Sequence, residues 1–179
     1  PDDYKHLHEL NLLTDKHVLY VANVDDKNIG GNEYSKIVQE IAQKEGEEAI
    51  VLSVGIESEI SQLEPDEKAE FLKELGIEEP GLDKLIHTAY HLLGLKTFFT
   101  AGEKEVHAWT FVQGTKAPQA AGIIHTDFEH GFIRAEIMSY DDLIKLGSEA
   151  AVKEKGLMRV EGKEYEVKDG DVVYFRFNV

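Results

Sequence analysis

The chain has 179 residues, 42% apolar and 30% charged, with no cysteine and a formal net charge of −16. That length admits one ordinary domain or two small ones, and the lack of cysteine excludes disulfides and thiolate metal sites. Residues 1–95 carry 21 acidic against 8 basic side chains and residues 96–179 carry 14 against 11, so the first part should repel a phosphate backbone while the second is near neutral.

In chain order, "HVLYVA" from His17 is a continuous apolar run, as expected of a strand covered on both faces. "EYSKIVQEIAQKEG" follows as a helix with Tyr34, Ile37, Val38 and Ile41 on one stripe, Asn32 as N-cap and Gly46 as the stop. "EEAIVLSV" is a second apolar strand, which makes residues 17–54 a βαβ unit with parallel strands. Two helices come next, one over 65–75 opened by Pro65 and closed by Gly76, and one in "LDKLIHTAYHLLG" closed by Gly94. Two parallel strands apolar on both faces do not make a stable sheet alone, so the remainder of that sheet is expected outside this chain.

Residues 96–179 change character. "KTFFTAG" and "EVHAWTFV" form a predicted hairpin around Gly102, and a short helix starts at Pro118. "GFIRAEIMSY" is a strand, "DDLIKLGS" and "EAAVKEKG" are short helices, and "MRVEGKEYEVKDGDVVYFRFNV" supplies two closing strands with a "KDGD" turn between them. A hairpin, a helix and further strands in this length predict an α+β sheet packed on a helix, such as a β-grasp, with the boundary near Leu95.

Several groups of residues could carry chemistry. Asn23-Val24-Asp25-Asp26 closes the first strand, at the sheet edge where α/β folds bind ligands. P-loop GTPases keep a base-recognising Asn-x-x-Asp there, the carboxylate accepting from guanine's N1–H and exocyclic amine. Ser53-Val54-Gly55 ends the next strand, where such proteins place a second base loop of small residues; either motif alone is also ordinary turn chemistry. "HTDFEH" gathers His125, Asp127 and His130 as possible metal ligands or as plain turn formers, and His6-x-His8 is a terminal pair. Phe98, Phe99, Trp109, Phe111, Tyr174, Phe175 and Phe177 could stack on RNA bases, although strand alternation assigns most of them to a core, with Trp109 and Phe111 on one face. Lys116, Arg134, Lys153, Lys155 and Arg159 are cations for a basic surface. Nowhere is there a Gly-x-x-x-x-Gly-Lys-Ser/Thr loop to hold phosphates.

With these residues in view, "LLTDKHVLYVANVDD", "LKELGIEEPGLDKLIHTAYHLLGLKTFFTAGEKEVHAWT", "GTKAPQAAGIIHTDFEHGFIRAE" and "YEVKDGDVVYFRFNV" resemble the C-terminal half of the YchF/Obg-like ATPases. The resemblance implies a partial P-loop-type parallel α/β sheet over 1–95, with the tail of a helical insertion, followed over 96–179 by a TGS domain of ubiquitin-like β-grasp type. It implies base contacts from Asn23, Val24, Asp26, Ser53, Val54 and Gly55, no catalytic residue in this chain, ATP or GTP with Mg²⁺ as the ligand of the longer protein, and none held by this piece alone. It further implies a cytoplasmic protein that docks on the ribosome or RNA through the TGS domain, with Lys116 and Arg134 as candidate contacts and no membrane partner. The family usually carries Glu at the fourth motif position, associated with ATP preference; Asp26 is the residue of ordinary GTPases, whereas Val24 replaces their Lys. The alternative readings are a stand-alone β-grasp module that binds RNA or protein, and a metal-dependent hydrolase centred on His125 and Asp127.

Overall fold

A computed structural model describes residues 9–102 and 105–178, in two compact units, Pro1–Leu93 and Gly94–Val179. The His6/His8 pair lies outside the described residues.

In the first unit, β1 (Leu19–Asn23) and β2 (Glu48–Leu52) pair in parallel, Leu19 opposite Glu48 through Asn23 opposite Leu52. Helix α1 (Glu33–Glu45) makes the crossover. It starts at Asn32 because a reciprocal box closes there: Ser35 N–H donates to Asn32 Oδ1 at 2.9 Å and Asn32 N–H to Ser35 Oγ at 2.8 Å. It stops at Gly46, whose φ of +76° suits only glycine at low cost. The predicted apolar stripe does not form the buried face, however. Ser35 and Ala42 are the buried residues of α1, while Tyr34, Ile37 and Ile41 are exposed. Val21 of β1 is also 46% exposed, and among the described residues no third strand joins this sheet.

Helix α2 (Val54–Ile60) follows β2 directly and buries Ile56 and Ile60, so that Val54 and Gly55, expected in a loop, form its first turn. Helices α3 (Pro65–Leu75) and α4 (Gly81–Leu92) complete the unit. The N-cap of α4 is Pro80, which offers no side-chain acceptor, so the acceptor comes from α2 instead. The Glu57 carboxylate takes the N–H groups of Gly81 at 2.6 Å and Leu82 at 3.1 Å, two of the donors a helix start leaves orphaned. Glu57→Ala is therefore expected to destabilise this unit by about 1–2 kcal/mol, read as a lower urea midpoint with unchanged slope.

The second unit is a five-stranded mixed sheet in the order β4-β3-β7-β5-β6. Strands β3 (Leu95–Ala101) and β4 (Val106–Val112) form the expected hairpin. Strand β5 (Phe132–Ser139) pairs antiparallel with both β6 (Arg159–Glu161) and β7 (Asp171–Phe177), and β7 lies parallel to β3 in the centre. The last two strands thus do not pair with each other; β7 inserts between β3 and β5. Alternation divides the apolar residues between two faces. Phe98, Ile137 and Val173 pack with Phe111 under α5 (Ala117–Ile124), whose Ala117, Ala120 and Ala121 allow close approach. Phe99, Met138 and Val172 face the other way, toward Leu143 and Leu146 of α7 (Tyr140–Leu146) and Val152 of α8 (Glu149–Glu154). Between α5 and β5 sits α6 (Thr126–His130). Among the described residues no helix is long and apolar enough to cross a membrane.

Candidate functional site

Parallel pairing brings the ends of β1 and β2 to one edge, and the residues expected to read a base meet there. Asn23, the last residue of β1, accepts the Val54 N–H on its Oδ1 at 3.1 Å. Ser53 Oγ donates to Asp26 Oδ1 at 2.6 Å and accepts the Ile56 N–H at 3.4 Å, so one buried hydroxyl caps α2 and orients the carboxylate. Each carboxylate oxygen has two lone pairs, so this bond orients Asp26 without exhausting it. Gly55 completes the arrangement, because a Cβ at that position would stand 2.7 Å from Asp26 Oδ1. Asp25 acts locally, accepting from Asn28 Nδ2 at 2.6 Å across the 3-10 turn Asp26–Asn28. The Val24 side chain is buried, and its N–H donates to Leu52 O at 2.9 Å, which prolongs the strand pairing by one residue. Asn23 and Asp26 remain exposed.

This edge borders a cavity of about 540 Å³, lined in part by Gly30, Leu52, Ser53, Ile56, Glu57 and Gly81. Sequence reasoning paired the two loops by topology but missed the bonds that join them. Glu57 is not among the residues expected at the site. The one available signal was the Pro80-Gly81 start of α4, a helix beginning without a capping side chain of its own.

The remaining candidates belong to the second unit. His125 is the N-cap of α6: its Nδ1 accepts the Asp127 N–H at 3.1 Å and lies 3.4 Å from Asp127 Oδ2. Among the described residues no three His, Asp or Glu side chains are grouped to hold a metal ion. Lys116 Nζ pairs with Glu164 Oε2 at 2.5 Å, and its ammonium is held above its ordinary pKa by that hydrogen bond. Arg134 and Arg176 share Glu136, at 3.3 and 2.8 Å, and the Arg176 bond holds that carboxyl below the usual range.

The first unit is an α/β unit whose two strand-end loops are tied together at one sheet edge, and the second is an α+β sheet domain. Residues 95–178 match the family model YchF-GTPase_C, described as a protein of unknown function (DUF933). Over 181 aligned residues the chain is 56% identical to the ribosome-binding ATPase YchF of Bacillus subtilis (strain 168), covering 99% of this chain and 50% of that protein. The ribosome-binding ATPase YchF of Escherichia coli O157:H7 is 52% identical over 170 residues, or 95% of this chain and 47% of its own length. Among solved structures, the Schizosaccharomyces pombe YchF GTPase superposes with a TM-score of 0.88 at 37% identity, over 96% of this chain and 46% of that one. A GTP binding protein of Pyrococcus horikoshii OT3 shares the fold at 18% identity, with a TM-score of 0.67 over 99% of this chain and 56% of that one. The chain is thus a member of the YchF family, and it spans about half the length of the relatives it matches.

Proposed function

We propose that this chain is the base-reading and ribosome-docking portion of a protein that hydrolyses ATP or GTP in its longer form. The carrying observation is the tied edge Asn23–Val54 and Asp26–Ser53, which holds a carboxylate and a carboxamide where parallel sheets bind ligands. In this reading Asp26 accepts hydrogen bonds from the base, Asn23 locks the two loops at a fixed spacing, Ser53 aims the carboxylate, and Gly55 leaves room for it. The phosphates and Mg²⁺ would be held by a Gly-Lys-Ser/Thr loop that this sequence does not contain. The exposed Val21, Tyr34, Ile37 and Ile41 beside a two-stranded sheet support the same reading, since a longer protein would cover them.

The second unit we read as a TGS domain of β-grasp type. A hairpin, a crossing helix, and a last strand inserted parallel to the first support it. Its role would be docking on the ribosome, in the cytoplasm. Lys116 and Arg134 are the cations proposed for that contact, and each is compensated in place by a carboxylate. Co-sedimentation with purified ribosomes tests the role: the full chain is expected in the ribosomal pellet, and a chain that stays in the supernatant at low salt would refute docking. A shallow dependence on salt is the expected mark of protein contact, a steep one of RNA contact.

A further inference from the structure

Among the described residues strand β4 is an outer strand of the second unit's sheet, and its sequence lacks the usual protection. Sheet edges are ordinarily blunted by lysine, proline, bulges or shortness. The opposite edge, β6, is three residues long and carries Arg159 and Glu161. By contrast β4 runs seven residues, Val-His-Ala-Trp-Thr-Phe-Val, with no formal charge, proline or glycine, and is paired to β3 without a bulge. Gly102 N–H donates to Glu105 O and Gln113 N–H to Gly94 O, both at 2.8 Å. Counting in steps of two between these bonds turns the main chain of His107, Trp109 and Phe111 toward β3, and that of Val106 and Ala108 outward. The Val106 side chain is 71% exposed.

A groove of about 350 Å³ is lined by His107 and Trp109 of this strand together with Ile124, Phe128 and Phe175. The His107 ring lies tilted with its centre 4.2 Å from that of Trp109, and Trp109 Nε1–H is already given to Thr100 Oγ1 at 2.9 Å. Around Trp109 the groove therefore offers apolar surface, the indole donor being already used.

Charge decides between possible occupants. Residues 96–179 of this unit carry 14 acidic against 11 basic side chains. Arg176, the one Lys or Arg lining the groove among the described residues, is paired with Glu136 at 2.8 Å, and the lining also holds Glu105, whose Oε1 lies 3.3 Å from His107 Nδ1. A phosphate backbone finds no basic track here, whereas a cationic polypeptide is attracted. We infer that β4 takes up an extended, lysine- or arginine-rich peptide segment as an added strand, with one of its apolar side chains seated on the Trp109 groove. Main-chain bonds to Val106 and Ala108 would give the affinity and the groove the register. This deepens the docking role proposed above, on which it rests, by making the contacted component a basic protein segment and not RNA.

The chain has a single tryptophan, so its emission reports on the groove. The full chain is titrated with an alternating Lys-Val peptide carrying one central Phe, with a Lys-Pro peptide of equal charge, and with single-stranded oligouridylate. A saturable change in Trp109 emission is expected with the first probe alone. Ala108→Pro removes an outward N–H that β3 does not use, and Val106→Lys places a charge on the edge. Each should weaken the Lys-Val peptide roughly tenfold or more without lowering the urea midpoint. Equal binding by these variants, equal binding of the Lys-Pro peptide, preference for the RNA, or β4-dependent self-association in light scattering would each overturn the inference. Ribosome co-sedimentation of wild type and Ala108→Pro separates the two levels: pelleting of both alike defeats the edge assignment alone, and pelleting of neither defeats docking itself.

Discussion

Asp26→Ala, placed in a nucleotide-binding form of the protein, is expected to weaken ATP or GTP by roughly 10- to 100-fold, the cost of about 1.5–3 kcal/mol for hydrogen bonds to a charged acceptor. The loss should be confined to the base. Inorganic tripolyphosphate, which has none, should compete equally well against wild type and variant. The variant also leaves the buried Ser53 hydroxyl without its 2.6 Å partner, so Asp26→Asn is the better-balanced control: it keeps an oxygen for Ser53 and replaces the charged acceptor by an amide. Gly55→Ala presses on the same carboxylate from the other side and should lower base affinity while the phosphate competition stays constant. Calorimetric titration with nucleotide and tripolyphosphate in parallel checks all three. A uniform loss of both ligands would mean that the substitutions damage the fold, not base reading.

A comparably large effect is expected in the second unit from Asp171→Ala. Asp171 is 2% exposed at the start of β7, and its carboxylate accepts from Tyr165 Oη at 2.8 Å, Lys168 N at 2.9 Å and Arg159 Nη2 at 3.3 Å. The Arg159 guanidinium also lies 5.4 Å from the Tyr165 ring centre. Removing this buried carboxylate leaves the Tyr165 phenol and the Lys168 amide without their acceptor and leaves Arg159 only its 3.6 Å pairing with Glu161, which costs about 3–5 kcal/mol and lowers Tm by roughly 12 °C or more for a domain of this size. The same network has an alkaline signature. Burial, and then the hydrogen bond to Asp171, push the Tyr165 phenol up to about 12 from 10.0. Because the folded value is the higher one, its contribution is fully present below pH 10 and is lost as the pH rises toward 12. A phenolate titration at 295 nm should show the latest-ionising tyrosine of the wild type moving to lower pH in Asp171→Ala, with burial still holding it above 10.0.

Local punctuation was well marked in the sequence, and long-range pairing was not. Asn32 and Gly46 bounded α1, and Pro65 and Gly76 bounded α3, because caps and left-handed stops act within one turn. The stripe Tyr34, Ile37 and Ile41 was visible too, but periodicity shows which residues share a face and not what covers them; Ser35 and Ala42 face inward instead. The first turn of helix α2, Val54 and Gly55, has the sequence of a loop, because Gly55 is a poor helix former whose place here depends on Asp26, 29 positions earlier than that glycine. Helix α6, five residues long, is too short to show a period. The closing strands looked like neighbours across "KDGD", yet strand order in a mixed sheet is set by which faces must be buried, and β7 goes to the centre. At the site, the residue types were legible while the ties Asn23–Val54 and Asp26–Ser53, spanning 31 and 27 positions, were not.

Equilibrium binding of labelled ATP and GTP with Mg²⁺ is the decisive measurement, made on the 179-residue chain by itself and on the same chain joined to the half of the Bacillus subtilis relative that it does not match. The isolated chain should show no saturable binding below about millimolar nucleotide, and the joined protein should bind in roughly the micromolar range and turn nucleotide over. Micromolar affinity with turnover by the isolated chain, or a joined protein indifferent to the identity of residue 26, would contradict the assignment of these loops to base recognition.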